Sequence, residues 1–163
     1  LSVRITERYR PYEEILKYRT GARLDLDWSS SGISARYGPS DKPAWKIRGR
    51  LEGLLCRAFS GLAYLDAGRK TDRFNAYLRG TIFIVDNWDD RIYSYERDAP
   101  GNFTVPAYYG RGWSLSAVSG YKLRFGGNKT LKLYFRASMV AYSFMKDHKP
   151  SVSEAKIQAV MTL

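Results

Sequence analysis

The sequence predicts an all-β fold, an antiparallel up-and-down transmembrane β-barrel of about eight strands, and three observations lead there. Apolar and polar residues alternate over segments of about 9 to 15 residues, turn residues separate those segments, and helical spacing at i, i+3, i+4 and i+7 is nowhere sustained. The first segment, Ser2 to Arg10, alternates up to the Arg10-Pro11 step, and Leu16 to Trp28 follows, closed by Ser29-Ser30-Ser31-Gly32. Trp45 to Cys56, Gly61 to Gly68 and Phe74 to Val85 repeat the period in the middle of the chain. Trp113 to Phe125 ends at Gly126-Gly127-Asn128, Leu131 to Ser143 precedes the Asp147 to Pro150 turn, and Glu154 to Leu163 is the last. Two connections are long, Ser29 to Ala44 and Asp86 to Gly112, and the second holds a further hairpin signal around Arg91 to Tyr95. No repeat or linker-like shift divides the 163 residues, so one domain is expected.

The placement of charge is the informative feature. In the six clearest strands one parity reads Leu16, Tyr18, Thr20, Ala22, Leu24, Leu26, Trp28, and then Trp45, Ile47, Gly49, Leu51, Gly53, Leu55. It continues with Phe74 to Ile84, Trp113 to Phe125, Leu131 to Ser143 and Ala155 to Leu163, again at every second position. These 38 positions carry no charge, although 26% of the chain is charged. The opposite parity carries Lys17, Arg19, Arg23, Lys46, Arg48, Arg50, Arg79, Lys122, Arg124, Lys132, Arg136 and Lys156, with Asp25, Asp27, Glu52 and Glu154.

A soluble barrel or sandwich with the apolar side inward and a membrane barrel with that side on lipid both fit such a pattern. Side-chain size separates them, because a soluble core must be filled to crystal-like density. The apolar parity instead mixes Gly49, Gly53, Gly80, Ala22, Ala76, Ala117, Ala137, Ala141, Ala155 and Ala159 with its Leu and Ile. Aromatic residues Tyr18, Trp28, Trp45, Phe74, Trp113 and Phe125 stand near the row ends, as interfacial girdles require. The run Ala155, Ile157, Ala159, Met161, Leu163 resembles the C-terminal signature of outer-membrane barrels, with Leu in place of the usual Phe or Tyr.

Composition excludes other classes. One cysteine, Cys56, permits no internal disulfide, and with one histidine, His148, it supplies no Cys/His metal site. No apolar run approaches the length of a membrane-spanning helix. The chain opens at Leu1 without a leader-like segment and is expected to be a processed chain or a piece of a longer one. A net charge of +11 points to anionic partners.

The segment Asp86-Asn87-Trp88-Asp89-Asp90-Arg91-Ile92-Tyr93-Ser94-Tyr95-Glu96, with Phe103-Thr104-Val105-Pro106-Ala107-Tyr108-Tyr109-Gly110-Arg111-Gly112 and the strand Thr130 to Arg136, resembles a family of outer-membrane proteins. In that family a helix-hairpin-helix segment similar to competence DNA receptors precedes a β-barrel; the resemblance covers roughly Trp45 to Phe144. It implies a bacterial outer-membrane location and contact with outer-membrane lipid. The nucleic-acid module lies outside this chain, so DNA binding is not carried over, and the family supplies no activity for the barrel.

Three roles follow as expectations: a structural or anchoring barrel partnered with other envelope proteins, an anion or DNA conduit, and a soluble basic barrel holding an anionic ligand. Arg19, Arg23, Lys46, Arg48, Arg50, Arg79, Lys122, Arg124, Lys132, Arg136 and Lys156 are expected to face the lumen. Packed with the acidic residues, they would fill an eight-stranded interior as a salt-bridged plug. Asp86, Asp89, Asp90, Glu96 and Asp98 would add counter-charge if their connection folds inward. Arg91, Tyr93, Tyr95, Tyr108, Tyr109 and Arg111, with Arg97, are expected in an extracellular loop whose rings suit stacking on sugars or bases. Cys56 and His148 lack the partners of a catalytic pair, so no catalytic residue, metal or cofactor is expected.

Overall fold

The structure, a computed structural model, describes residues 2–9, 18–29, 44–55, 58–125, 129–142 and 150–162. Eight long strands make one sheet: β1 (Ser2–Tyr9), β2 (Tyr18–Ser29), β3 (Ala44–Leu55), β4 (Phe59–Lys70), β5 (Phe74–Val85), β8 (Gly110–Arg124), β9 (Thr130–Ala141) and β10 (Val152–Thr162). Between β5 and β8 lie a single helical turn (Trp88–Asp90) and two short strands, β6 (Ile92–Tyr93) and β7 (Ala107–Tyr108), which pair only with each other. The large sheet runs β1-β2-β3-β4-β5-β8-β9-β10, each pair antiparallel. It is therefore a meander, the simplest way to use short connections.

The expected strands appear with three extensions, one being β10, which begins at Val152 rather than Glu154. β4 begins at Phe59 and ends at Lys70, because its ladders with β3 and β5 continue past the apolar alternation. β8 begins at Gly110, where loop-like Gly110-Arg111-Gly112 pairs with Phe83 to Val85. Only glycine fits at 112, since a Cβ there would collide with the Ala141 carbonyl oxygen, and Gly110 uses a φ of 84° to turn the chain into the strand. The β4–β5 reversal is fixed at Thr71, whose N–H and hydroxyl both donate to the Phe74 carbonyl at 2.7 and 2.9 Å.

The sequence predicts a closed ring, whereas the described residues form an open sheet: β1 and β10 are its edges, with no ladder between them. One register row crosses every strand, from Ser2 through Asp25, Arg50, Tyr64, Thr81, Ser114 and Val140 to Val152. A row that starts at the beginning of β1 thus arrives at the beginning of an antiparallel strand, so the strands are staggered across the sheet.

Burial is the reverse of a water-soluble sandwich. Among the described side chains, Leu78, Ile82, Leu115, Leu133, Met139, Ile157 and Met161 of the apolar parity are exposed, Ile82 at 64% and Ile157 at 80%. On the other face Asp66, Arg79 and Arg136 are 2%, 4% and 3% exposed. What covers the charged face is the segment 86–109. Expected as an extracellular excursion, with inward folding as the alternative that would add counter-charge, it lies across the polar rows of β4, β5, β8, β9 and β10. A small apolar core seats its base: Leu54, Leu62, Phe83 and Val85 from the ends of β3, β4 and β5 pack with Ile92 and Tyr108, beside Tyr64, Tyr109, Val140 and Tyr142. The Phe83 and Tyr108 rings are 5.0 Å apart and tilted, a favourable aromatic geometry.

Candidate functional site

Two buried ionic centres hold the inserted hairpin to the sheet. The first is Asp66, at the middle of β4. Its Oδ2 accepts hydrogen bonds from Arg48 of β3 at 2.8 Å, Arg79 of β5 at 3.1 Å and Arg97 of the hairpin at 3.0 Å. Register explains the meeting, since Arg48 is cross-strand from Asp66 and Asp66 is cross-strand from Arg79. Aromatic faces support the guanidiniums: Arg79 lies 4.1 Å from the Tyr64 ring centre and Arg97 3.9 Å from that of Tyr77. Tyr77 in turn lies over Gly68, its cross-strand partner, where a Cβ would strike the ring. Oδ1 of Asp66 is buried without a hydrogen-bond partner among the described residues. Arg79 also donates to the Tyr95 carbonyl at 2.6 Å, tying hairpin backbone to sheet.

The second centre is Arg136, at the middle of β9. It donates to Glu96 of the hairpin at 2.8 Å and to Glu154 of β10 at 2.9 Å, with Asp98 at 3.9 Å. Glu96 accepts a further hydrogen bond from the Tyr108 hydroxyl at 2.5 Å, and that hydroxyl meets Ser114 at 3.0 Å. Burial, reinforced by the Glu96 charge, pushes the Tyr108 phenol well above its ordinary range. Asp98 caps the hairpin tip. Burial would raise its carboxyl, but hydrogen bonds from Thr104 Oγ1 and the Ala99 N–H, with the charges of Arg136 and Lys156, hold it below its ordinary value. The tip is the turn Ala99-Pro100-Gly101-Asn102, closed by Asn102 N–H to Ala99 O at 3.0 Å, with proline preset at its second position and Gly101 at φ 87° in its third. Asn102 donates to Gln158 of β10, and Gln158 donates to the Pro100 carbonyl.

The expected lumen cations divide by position. Arg48, Arg79 and Arg136 enter the two centres, and Lys156 bridges Glu154 at 3.1 Å and Asp98 at 3.8 Å. Arg50 and Arg23 both pair with Asp25, at 2.7 and 2.9 Å, in a separate group on β2 and β3. Lys46, Lys122 and Lys132 are half-buried on the same face, and Arg124 is exposed at the end of β8. The side chain of Arg19 lies outside the described residues, as do Lys17, Cys56 and His148.

The aromatic and basic residues of the connection do not gather into one patch. Tyr108 is buried inside, and Tyr109 packs on Trp88 at 4.6 Å and near Tyr142. Arg91 lies over Trp88 and donates to the Tyr93 hydroxyl at 2.6 Å. Arg111 forms a two-bonded pair with Asp86 at the sheet rim, and Tyr95 stacks on Phe103 at 5.3 Å. Of the acidic residues named as counter-charge, Glu96 and Asp98 reach the second centre, Asp90 accepts from the Ala58 N–H, and Asp86 stays at the rim.

Asp66, Ser114 and Gln158 do not figure among the expected site residues, and Arg97, expected with the loop aromatics, joins the first centre. Extending the parity reading to β4, where Leu62, Tyr64 and Asp66 share one face, is the signal that finds Asp66. No protein-family model, curated protein or solved structure matches the chain.

Proposed function

We propose that these strands are the wall of a bacterial outer-membrane β-barrel, that segment 86–109 is its internal plug, and that the protein anchors or braces an envelope assembly. The observation that carries this reading is the reversed burial, with Ile82 and Ile157 outward and Asp66, Arg79 and Arg136 inward under the hairpin. In water such a face would be costly, at roughly 25 cal/mol per Å² of exposed apolar area; against lipid tails it is the lowest-energy arrangement. Strand length supports it too. Twelve-residue strands such as β3, β4 and β5 run about 40 Å, and tilted near 40° they span about 30 Å, the hydrocarbon thickness.

Outward rings stand at both strand ends, Phe59 on one side and Trp45, Phe74, Tyr121 and Phe125 on the other, where headgroups would meet them. A conduit for anions or DNA is the second reading, favoured by three guanidiniums meeting one carboxylate at Asp66. The hairpin across that centre weighs against an open path, so the plugged anchor is preferred. No catalytic role is proposed.

Reconstitution tests this. The purified chain, refolded with phosphatidylcholine vesicles, should float with them after alkaline carbonate washing and be silent in planar bilayers. Recovery in the aqueous fraction would contradict the membrane reading, and steady anion-selective conductance would replace the anchor with the conduit.

A further inference from the structure

We propose that the membrane ring is completed by a second copy of this chain, β10 of each protomer pairing antiparallel with β1 of the other to give a wall twice the eight strands of one sheet. This rests on the barrel-wall reading above. Unpaired strand edges are not tolerated in hydrocarbon, where each bare N–H and C=O costs several kcal/mol. Among the described residues both β1 and β10 have such an edge, and their even strand count makes the two antiparallel to each other.

The register sets the geometry of closure. The row from Ser2 meets β10 at Val152, whereas bringing the strand ends level pairs Ser2 with Thr162, ten residues further on. That stagger per eight strands corresponds to a tilt of about 41°, inside the usual barrel range. At this tilt an eight-strand ring has a backbone radius of only about 8 Å, which its own side chains fill.

The hairpin leaves no room for that ring. Through Tyr95, Glu96, Arg97 and Asn102 it lies as a second layer over the middle of β4, β5, β9 and β10. Stacked β layers are about 10 Å apart, so a ring about 16 Å across cannot hold the layer with a wall on its far side. Two copies at the same tilt enclose about 32 Å, enough for wall, hairpin, hairpin and wall at three spacings of about 10 Å. The free side of the hairpin suits this mate. Tyr93, Tyr95 and Phe103 are 48%, 46% and 80% exposed there, an aromatic row that a second copy would cover.

Cross-linking decides it, in a Cys56→Ser background, in floated vesicles, with copper phenanthroline as oxidant. The level-end register places Ile5 opposite Ala159 across the shared edge. Singly substituted Ile5→Cys and Ala159→Cys chains, reconstituted together, should form a covalent heterodimer. Ile157→Cys or Met161→Cys in place of Ala159→Cys should lower the yield by about fivefold or more, because diagonal neighbours exceed disulfide reach. A chain carrying both substitutions that links only within itself would overturn the proposal in favour of a single-copy ring. Chains that float but link in neither way would overturn it in favour of other strands closing the wall. Failure to float would remove the barrel-wall reading itself.

Discussion

Arg136 of β9 and Glu96 of the hairpin share a 2.8 Å ion pair whose side chains are 3% and 4% exposed, so a charge of the wall is matched by a charge that arrives only when the hairpin is seated. Removing Arg136 leaves the Glu96 carboxylate buried with the Tyr108 hydroxyl but without its cation. Arg136→Met should loosen the hairpin by about 3 kcal/mol, read as faster hydrogen exchange at Ser94 and Glu96 and as tryptic cleavage after Arg97. Adding Glu96→Gln should recover part of that loss, a coupling that two independent sites would not show.

Asp66 Oδ2 accepts from Arg48, Arg79 and Arg97 together. Asp66→Asn keeps the shape and removes the charge, so three guanidiniums repel one another around a buried amide. A loss of about 3 to 5 kcal/mol is expected in urea unfolding from vesicles. Arg97→Gln should cost much less, because its removal leaves Arg48 and Arg79 on the carboxylate.

Two glycines make opposite predictions. Gly112→Ala drives a methyl into the Ala141 carbonyl and should cost about 1 to 3 kcal/mol, whereas Gly80 has nothing within 4 Å of the added methyl. Gly80→Ala should therefore leave the unfolding midpoint unchanged or slightly raised.

Hairpin seating should have limits at both ends of the pH scale. The Asp98 carboxyl is held below its ordinary value, so the released hairpin takes up that proton first. Its contribution is complete above about pH 4 and is lost as pH falls through the lower seated value. Tyr108 has the opposite sign. Its phenol is raised by burial, so the neutral form favours seating, complete below about pH 10 and lost above it. Hydrogen exchange of Glu96 and Thr104 across the pH range measures this, and Tyr108→Phe should abolish the alkaline limb alone.

Strand positions were legible because a two-residue period survives in each strand, and because a charge-free row such as Phe74 to Ile84 leaves one plausible face for lipid. The route of the connection was not. Glu96 and Asp98 find Arg136 and Lys156 at sequence separations near 40 and 58, and no local pattern encodes which wall a hairpin leans on. Tyr108 shows the same limit: beside Tyr109 it reads as surface aromatic, yet its hydroxyl is spent on Glu96 and Ser114 inside. The open edges were illegible too, since alternation within β1 and β10 does not say which strand pairs with either.

The account stands on which parity meets hydrocarbon, and site-directed nitroxides measure that directly. Labels at Leu78, Ile82 and Leu133 in vesicles should collide with dissolved oxygen and be shielded from a water-soluble nickel chelate, while labels at Lys122 and Lys132 show the reverse. Equal nickel access at both sets, or shielding from both reagents at Ile82 and Leu133, would contradict it.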